Sequence, residues 1–451
     1  MGGGISGLSA AYYLTKLGVR PLLLERAPRL GGVIQTEVVN GCVIEGGPDS
    51  FLAAKPWAMD LIRELGLESE VIGSNDHQRV TYILKGGRLI PLPDGLMMMV
   101  PTKIWPTAVS PLLSWGTKIR MGIEWFRRPG PDAGKDRSVA SFIEDHYGRE
   151  VVDYLTEPLL AGVFGGDPEQ LSVASVLPRF AEMEKKHGSL TRGVLVEGGR
   201  TAGSLGVGSL FRTMKGGLGQ LVAALEKAVE GKVEIRRGEA ETIERGEKKL
   251  RVRVNGEWVE TGKLVLACPA HEASRLTAGL DAELSGQLGG IGYSSSMTVA
   301  LGYRKDMLGH PLNGFGFLVP KKERGKMLAC TWVGTKFSHR VPESHALLRC
   351  FLGSMLEESD EAVVRTVRQE LRQIMGVSVE PVFVRISRWR RSMAQYHVGH
   401  SERVQSISHR LKSQTGLYLA GNGYHGIGLP DCIRMGKEAA ENAAGLPLRI
   451  D

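Results

Sequence analysis

Short apolar runs and glycine-rich turns lie at both ends of the chain. Near the amino terminus, apolar residues at helical spacing run over 8–17 and stop at Gly18, and the continuous apolar run 22–24 follows. This spacing predicts a helix and then a buried strand. Near the carboxyl terminus, the run 417–421 predicts a short strand of the parallel type, which leads through a glycine-rich loop into a helix over 432–444. Two such units predict one nucleotide-binding domain assembled from both termini.

The middle of the chain mixes helical and strand patterns. Apolar residues at helical spacing predict a mainly helical stretch over 94–195, helix starts at Ser110 and Ser138, and helices over 56–65, 216–231 and 361–375. Short apolar runs between turn residues predict a hairpin, 81–84 with 88–90, and further strands at 297–301, 315–319, 347–352 and several places between 233 and 267.

The amino-terminal glycines carry a dinucleotide-binding pattern. Gly2, Gly4 and Gly7 fit G-x-G-x-x-G, and Glu25 follows about 20 residues later. The first glycine permits a tight turn, the second a close backbone approach to a pyrophosphate, and the third close packing of the helix on the sheet. The amides at the helix start favour a phosphate, and a carboxylate at the position of Glu25 would bind ribose hydroxyls.

These elements together predict an α/β fold with an added α-helical part. We expect a Rossmann-like domain, which would bind the dinucleotide, from residues 1–75, 212–275 and 400–451. We expect an inserted domain with a mixed sheet, which would bind the substrate, from residues 76–93, 196–211 and 276–399. The remaining stretch, 94–195, is expected to form a helical domain.

The glycine pattern normally follows a first strand in the middle of the sheet, but only Met1 precedes Gly2. Without that strand, its neighbours would leave buried amides unpaired. We therefore expect the natural chain to start upstream, with a short stretch rich in valine and isoleucine. Translation of the upstream reading frame tests this expectation.

Composition narrows the function classes. The 451 residues are 42% hydrophobic and 24% charged, as in ordinary soluble proteins, and carry a net charge of +8. The basic residues accompany no nucleic-acid-binding motif, so we expect anionic small molecules or lipid, and no nucleic acid, as partners. The five cysteines form no C-x-x-C pair, which predicts reduced thiols in the cytoplasm. The histidines show no ligand spacing, which predicts no metal site, and no signal peptide or membrane-spanning apolar run is visible.

Two further glycine segments indicate a particular cofactor. Gly31 and Gly32 follow Glu25 and Arg26, and the segment 421–429 is rich in glycine at the start of the last predicted helix. Together with the first motif, these segments resemble the second and third FAD motifs of the amine-oxidase-like flavoproteins. Because all three motifs occur in this order, the resemblance implies FAD rather than NAD.

The resemblance narrows to the porphyrinogen oxidases within that superfamily. It rests on segments outside the shared FAD motifs, namely 45–51, 157–168 and 312–320, and runs from Gly2 to the carboxyl terminus. Members of this family oxidise coproporphyrinogen III or protoporphyrinogen IX to the porphyrin in haem synthesis, with oxygen as acceptor and hydrogen peroxide as product. The segment 91–102 is nearer to the bacterial, coproporphyrinogen-type branch.

The resemblance also implies the site residues. No catalytic side chain is expected, because hydride transfer to a flavin mainly requires orientation and the exclusion of water. The implied FAD-binding residues are Gly2, Gly4, Ile5, Ser6, Gly7, Glu25, Arg26, Gly31, Gly32, Gly47, Pro48, Asp49, Ser50, Ile427, Gly428 and Leu429. The implied tetrapyrrole pocket consists of Gly162, Val163, Phe164, Phe315, Leu318 and Phe351. Candidate cations for the substrate's propionates are Arg88, Lys103 and Arg179.

Two other functions stay open at this point. The same scaffold serves amine oxidases and carotenoid desaturases, which would lack counterparts of 157–168 and 313–320, and a fold does not determine a substrate. A non-catalytic flavin-binding or tetrapyrrole-binding protein is also compatible, because no indispensable catalytic side chain is expected.

The stretch 95–128 interleaves aromatic and basic residues, among them Trp105, Trp115, Phe126, Lys118 and Arg127. One interpretation is a helical cap whose aromatic side chains are buried while the cations face water. The other is a surface helix that holds a cytoplasmic protein at the inner face of the cell membrane. We favour the first interpretation. The sequence leaves homodimer formation open.

Overall fold

The computed structural model describes residues 1–201 and 209–446. Its strands are β1 Leu22–Glu25, β2 Thr36–Val39, β3 Cys42–Glu45, β4 Phe51–Leu52, β5 Val71–Gly73, β6 Thr81–Lys85, β7 Arg88–Pro91, β8 Leu96–Met97, β9 Val100–Pro101, β10 Phe211–Met214, β11 Glu234–Arg237, β12 Ala240–Arg245, β13 Leu250–Val254, β14 Glu257–Thr261, β15 Leu264–Leu266, β16 Gly292–Arg304, β17 Gly316–Leu318, β18 Met327–Trp332, β19 His345–Leu352, β20 Phe383–Gln395 and β21 Leu417–Leu419. Its α-helices are α1 Ile5–Lys16, α2 Pro56–Glu64, α3 Ile104–Val109, α4 Trp115–Glu124, α5 Val139–Tyr147, α6 Arg149–Val151, α7 Glu157–Phe164, α8 Val173–Val176, α9 Pro178–His187, α10 Leu190–Thr201, α11 Gly219–Val229, α12 Ala270–Thr277, α13 Ala282–Gly289, α14 Val333–Lys336, α15 Asp360–Met375, α16 His400–Leu411 and α17 Leu429–Ala444.

Two parallel strand pairs form the part of the fold that is predicted to bind the nucleotide. Strand β1 pairs with β11, and β15 pairs with β21, which confirms the predicted parallel strand at 417–421. The terminal residues lie between the two pairs. The amino group of Met1 donates to the carbonyl of Val265 at 2.8 Å, and Ala267 N–H donates to the carbonyl of Met1 at 2.8 Å. On the other side, Gly2 N–H donates to the carbonyl of Leu24 at 2.8 Å.

Helices α1, α11 and α17 cover one side of these strands. Their buried apolar residues share one core, as the helical spacing predicts: Leu8, Leu221, Leu225 and Ile433 are each almost fully buried. Helices α1 and α17 approach closely, since a Cβ on Gly436 would lie 2.3 Å from the carbonyl oxygen of Ser6. The two ends of the chain therefore pack directly against each other.

A larger mixed sheet combines strands from the second half of the chain with the hairpin formed by β6 and β7. Within the described residues it has seven strands in the order β20-β16-β19-β18-β17-β6-β7. All neighbours are antiparallel except β17 and β6, which are parallel. One face is apolar and packs on α15, with Val363, Val367 and Leu371 in the interface. The opposite face mixes apolar, small and polar residues, among them Phe351, Ala329 and Thr298, and is formed by the alternate side chains of the same strands.

The helices between α3 and α10 form a third layer with its own core, which includes Phe142, Ile143, Leu155 and Leu160. Ser138 caps α5 as predicted, since its hydroxyl accepts from Ser141 N–H at 3.1 Å. A short π-helix, 152–156, leads into α7. Short π-helical turns next to α-helices are frequently found at functional sites.

Two predicted helix starts are wrong. No helix begins at Ser110, which instead ends α3 in an extended conformation, and α4 begins after Ser114. The extended segment buries Leu112 and Leu113 in the helical core. The last helix begins at Leu429 rather than at 432, with Gly428 as its N-cap.

The favoured interpretation of 95–128 is also wrong for its aromatic residues. Trp105, Trp115 and Phe126 are between 71% and 78% exposed rather than buried. Helix α4 buries only Met121 and Glu124, so its apolar stripe faces outward. Among the described residues, no helix is both long and apolar enough to cross a membrane.

Candidate active site

The first and second glycine segments lie against each other. Gly31 N–H donates to the carbonyl of Gly3 at 2.8 Å, and Gly4 and Gly31 form a parallel bridge. A Cβ on Gly32 would lie 3.1 Å from the Cα of Gly4, so side chains here would crowd the two backbones. At Gly7 a Cβ would lie 1.8 Å from a backbone carbonyl oxygen, which excludes any side chain without a shift. The glycines thus leave a narrow backbone cradle at the start of α1.

Glu25 lies at the end of β1, beside this cradle, as predicted. Its two carboxylate oxygens accept hydrogen bonds from Gly3 N–H at 2.5 Å and Ala27 N–H at 2.7 Å. The carboxylate is half-buried and held in one orientation at the edge of the glycine loop. Arg26 points away to the surface, where it lies 3.6 Å from Glu272.

The segment 45–50 continues from the second glycine segment. Gly46 N–H donates to the carbonyl of Gln35 at 2.8 Å, and a Cβ on Gly47 would lie 1.8 Å from the carbonyl oxygen of Val33. The indole of Trp389 donates to the carbonyl of Gly46 at 2.7 Å, which joins the segment to the large sheet. Pro48 and Ser50 are half-buried beside it.

Asp49 is a half-buried anion in this segment. Ser50 donates to its Oδ1 at 2.7 Å, and Lys336 contacts its Oδ2 at 3.0 Å. Burial by itself would raise the pKa of Asp49, but Lys336 and Arg349 hold it well below its ordinary value. Asp49 is therefore a charged anchor for the backbone of 47–50.

The third glycine segment, 421–429, is held by side chains that the sequence analysis missed. The hydroxyl of Tyr396 donates to the carbonyl of Asn422 and accepts from Gly426 N–H, each at 2.8 Å. The ring of Tyr396 stacks on His400 at 3.9 Å between centroids, and His400 Nε2 lies 3.1 Å from the carbonyl of Tyr424. The hydrogen bonds join residues 24 to 30 positions apart, so no local sequence pattern indicates them.

The end of this segment forms the N-terminus of α17. Gly428 and Ile427 are half-buried there, and Leu429 is buried. The carboxylate of Asp431 accepts from Gly428 N–H at 3.3 Å and receives two hydrogen bonds from Lys55, at 2.6 and 2.7 Å. Lys55 follows the segment 45–50 along the chain. This ion pair therefore ties the first part of the chain to the last.

The implied pocket residues meet on the large sheet and α7. A single row across the sheet runs through Leu318, Ala329, Phe351 and Thr298, which are register partners in that order. Leu318 and Phe351 thus flank one small side chain, and they lie about 10 Å apart at the ordinary strand spacing. From the helical layer, Gly162 faces Leu318, since a Cβ on it would lie 3.6 Å from the leucine methyl.

The remaining implied pocket residues are placed as follows. The carbonyl of Phe164 accepts from Gln395 at 2.8 Å, and Phe315 is buried beside β17. The side chain of Val163 lies outside the described residues. The candidate propionate cations are all exposed at the surface, and Lys103 is paired there with Asp94 at 2.6 Å: Arg88, Lys103 and Arg179.

Paired parallel strands, a glycine cradle at a helix N-terminus and an acidic residue after β1 together define a dinucleotide-binding α/β protein. Sequence comparison narrows this class. Residues 5–444 match the family described as flavin containing amine oxidoreductase. The chain belongs to this family, which confirms the predicted FAD cofactor.

Two of the matching relatives and one of the matching solved structures illustrate the likeness, and each is similar over almost its full length. A coproporphyrinogen III oxidase of Bacillus subtilis is 33% identical, and the match covers 98% of this chain and 97% of the relative. A protoporphyrinogen oxidase of Homo sapiens is 30% identical, over 99% and 98% of the two chains. The crystal structure of a protein from Exiguobacterium, described as a putative protoporphyrinogen oxidase, superposes with a TM-score of 0.87 at 31% identity, over 98% and 97%.

Proposed function

We propose that this protein is an FAD-dependent oxidase that converts coproporphyrinogen III or protoporphyrinogen IX to the porphyrin in haem biosynthesis. The observation that carries the proposal is the row Leu318, Ala329 and Phe351 on the large sheet. Two bulky apolar side chains flanking a small one suit a broad, flat, apolar substrate. The names of the relatives support the same substrate class.

The cradle residues fit the flavin cofactor. We assign the pyrophosphate to the glycine loop 2–7 and the ribose to Glu25, with 31–32 along the dinucleotide. The segment 47–50 and residues 427–429 are assigned to the flavin ring. Support comes from the glycine positions at which any Cβ would collide with backbone, and from the helix N-termini of α1 and α17. Arg26 is the weakest member of the set, because it points to the surface.

FAD held by these residues would supply the redox chemistry, in which each round would remove one hydride and one proton from the substrate and reduce one oxygen molecule to one hydrogen peroxide. The protein's own contribution is orientation and exclusion of water, since the pocket residues Gly162, Phe164, Phe315, Leu318 and Phe351 carry no acid or base. We assign no catalytic side chain.

Anaerobic mixing of the FAD-loaded protein with a porphyrinogen tests the proposal. Loss of the oxidised-flavin absorbance together with porphyrin fluorescence supports it, and side-by-side turnover of the two porphyrinogens shows which is preferred. Flavin reduction by amines or carotenoids alone would instead support the related oxidase and desaturase activities. Absence of any reduction, with tight porphyrin binding, would support a carrier.

A volume change inside the row gives a sharper form of this test. Ala329→Phe fills the space between Leu318 and Phe351, and should abolish porphyrinogen oxidation while FAD stays bound. Ala278→Phe, at an exposed alanine, is the matched control and should leave turnover unchanged. Full turnover by a folded, FAD-loaded Ala329→Phe protein would contradict the assigned pocket.

The chain can be divided into three domains with different proposed roles. We propose that 1–75, 212–275 and 400–451 form the FAD-binding domain and that 76–93, 196–211 and 276–399 form the substrate-binding domain, with 94–195 as the helical domain. Within these ranges, 202–208 and 447–451 lie outside the described residues. The pairing of β1 with β11 and of β15 with β21 supports the first group.

We also propose that this cytoplasmic protein docks on an anionic lipid surface through helix α4. Trp115, Ile119, Ile123 and Phe126 lie along one side of the helix region and are 61% to 78% exposed. Lys118 lies beside this stripe, 4.4 Å from the Trp115 ring, and supplies charge for lipid headgroups.

Vesicle flotation tests this docking. The protein should float with vesicles that contain phosphatidylglycerol, release at high salt, and lose binding as Ile119→Ser/Ile123→Ser. A matched control, Val38→Ser/Val382→Ser, removes two exposed valines elsewhere and should float normally. Recovery wholly in the soluble fraction contradicts lipid docking. If the α4 variant instead converts a dimer to a monomer in light scattering, the face is a homodimer interface.

A further inference from the structure

Buried and half-buried charges lie at the segment 45–50, three cations against two carboxylates. Arg340 contacts Glu45 at 2.9 Å, and Lys336 contacts Asp49 at 3.0 Å, both at hydrogen-bond distance. The fifth member, Arg349, lies 3.7 Å from Asp49, and its side chain is 4% exposed. The cluster therefore holds one positive charge more than its own carboxylates offset, although buried charges are ordinarily paired.

Arg349 has spare hydrogen-bonding capacity and has no carboxylate at hydrogen-bond distance. One of its terminal nitrogens donates to the carbonyl of Gly47, but its Nε is buried without a partner among the described residues. Arg340 also has an unpartnered Nε, yet it has a carboxylate at hydrogen-bond distance and donates to Thr213 and Met214 as well. Burial lowers the pKa of the Arg349 guanidinium, while nearby carboxylates raise it.

Arg349 lies between the residues assigned to the substrate pocket and those assigned to the flavin ring. On β19 it is two residues before Phe351 and on the same sheet face, and its guanidinium carbon is 4.6 Å from the centre of that ring. Its register partners on the neighbouring strands are small, namely Ala300 and Thr331. On its other side is the carbonyl of Gly47, in the segment assigned to the flavin ring.

We propose that Arg349 binds a planar, delocalised anion brought by a ligand of this site. Two sources share this chemistry: a carboxylate of the substrate, and the ring of the reduced flavin. The planar guanidinium presents parallel N–H donors that match such an anion, and a desolvated site strengthens the contact. Arg349 transfers no proton and forms no covalent bond. The inference rests on the proposed function, because both anions belong to that reaction.

The test compares neutral and charged replacements in the FAD-loaded protein. Arg349→Met removes the charge, and Arg349→Lys keeps it. Arg349→Gln is a second neutral variant, which can still donate to the Gly47 carbonyl. It replaces Arg349→Met in both measurements if Arg349→Met does not retain FAD. Arg251→Met is the matched control, since Arg251 stacks on Trp258 at 4.4 Å, away from the site. Two quantities are measured: the flavin midpoint potential without substrate, and the Kd of coproporphyrin III for the oxidised protein.

Each source predicts its own result. If the anion is the reduced flavin, the neutral variant should lose about tenfold of its preference for reduced over oxidised flavin. The flavin midpoint potential should then fall by about 30 mV, while the Kd of the porphyrin stays unchanged. If it is a substrate carboxylate, porphyrin binds roughly ten- to a hundredfold more weakly at an unchanged potential. In either case Arg349→Lys recovers part of the loss.

The inference is overturned if a folded, FAD-loaded neutral variant changes neither quantity, or if Arg349→Lys is as impaired as Arg349→Met. Porphyrinogen turnover by the unmodified protein is measured in the same series. Failure of that turnover rejects the proposed function, whereas normal turnover with unaffected variants rejects only the role of Arg349.

Discussion

Replacement of Gly7 by alanine tests the packing role of the third glycine in the amino-terminal loop. A Cβ here would lie 1.8 Å from the carbonyl oxygen of Gly2, whereas such contacts essentially never fall below 3.0 Å. Helix α1 and the Gly2 turn must therefore separate by about 1.2 Å, the difference between these two distances. Helix α17 resists that movement, because Gly436 already brings it against the backbone of Ser6.

The expected loss of stability is the cost of overpacking minus the small gain in helix propensity. Overpacking in a tightly packed region costs roughly 1–3 kcal/mol, and alanine returns at most about 1 kcal/mol over glycine inside a helix. We expect Gly7→Ala to lower the free energy of unfolding by about 1–2 kcal/mol. Because the displaced turn is the one assigned to the pyrophosphate, we also expect about tenfold weaker FAD binding, equivalent to about 1.4 kcal/mol.

Thermal unfolding of the apoprotein and FAD titration by flavin fluorescence measure both effects. Gly286→Ala in α13 is the matched control, because nothing lies within 4 Å of a Cβ there and only the helix gain remains. This control should be as stable as the parent or slightly more stable, with unchanged FAD affinity. If Gly7→Ala melts and binds FAD like Gly286→Ala, the steric account of the glycine loop is refuted.

Three further substitutions probe contacts away from that loop. Tyr396→Phe removes both hydrogen bonds to the third glycine segment and should weaken FAD binding about tenfold, with little change if the segment holds itself. Burial lowers the pKa of His400 to about 4, so its neutral form stabilises the fold above pH 6.5, and this contribution is lost as the pH falls from 6.5 towards 4. The free energy of unfolding, measured in urea across this range, should therefore depend less steeply on pH for His400→Asn than for the parent protein. Equal pH dependence would reject the assignment. His146 lies 2.8 Å from Glu124 and 3.2 Å from Glu184, all buried, so His146→Leu should destabilise the helical layer by roughly 3–5 kcal/mol in urea unfolding, and an unchanged midpoint would contradict this.

The nucleotide-binding framework could be predicted because its determinants are local. Helix α1 and strand β1 follow from a single apolar period and a glycine stop, and the position of Glu25 follows from its spacing to the glycines. Even here, the sequence predicts the start of the last helix three residues late. The glycines before Leu429 suggest a loop, but the helix already begins at Leu429. Helix α4 shows the opposite limit. Large aromatic residues are usually buried, so the sequence favours a core position for them. They are exposed because the rest of the helical layer covers the other face of this helix.

The amino-acid sequence by itself determined the predicted cofactor class, because glycines, a helix start and an acidic residue at fixed spacing are together typical of a dinucleotide-binding turn. Only the tertiary structure decided what surrounds that turn. Tyr396, Lys55 and Arg349 reach their partners across sequence separations of up to 376 residues, and Leu318 and Phe351 become neighbours of Ala329 only through strand register. Such contacts arise from packing between distant segments, which leaves no period or spacing in the chain to read.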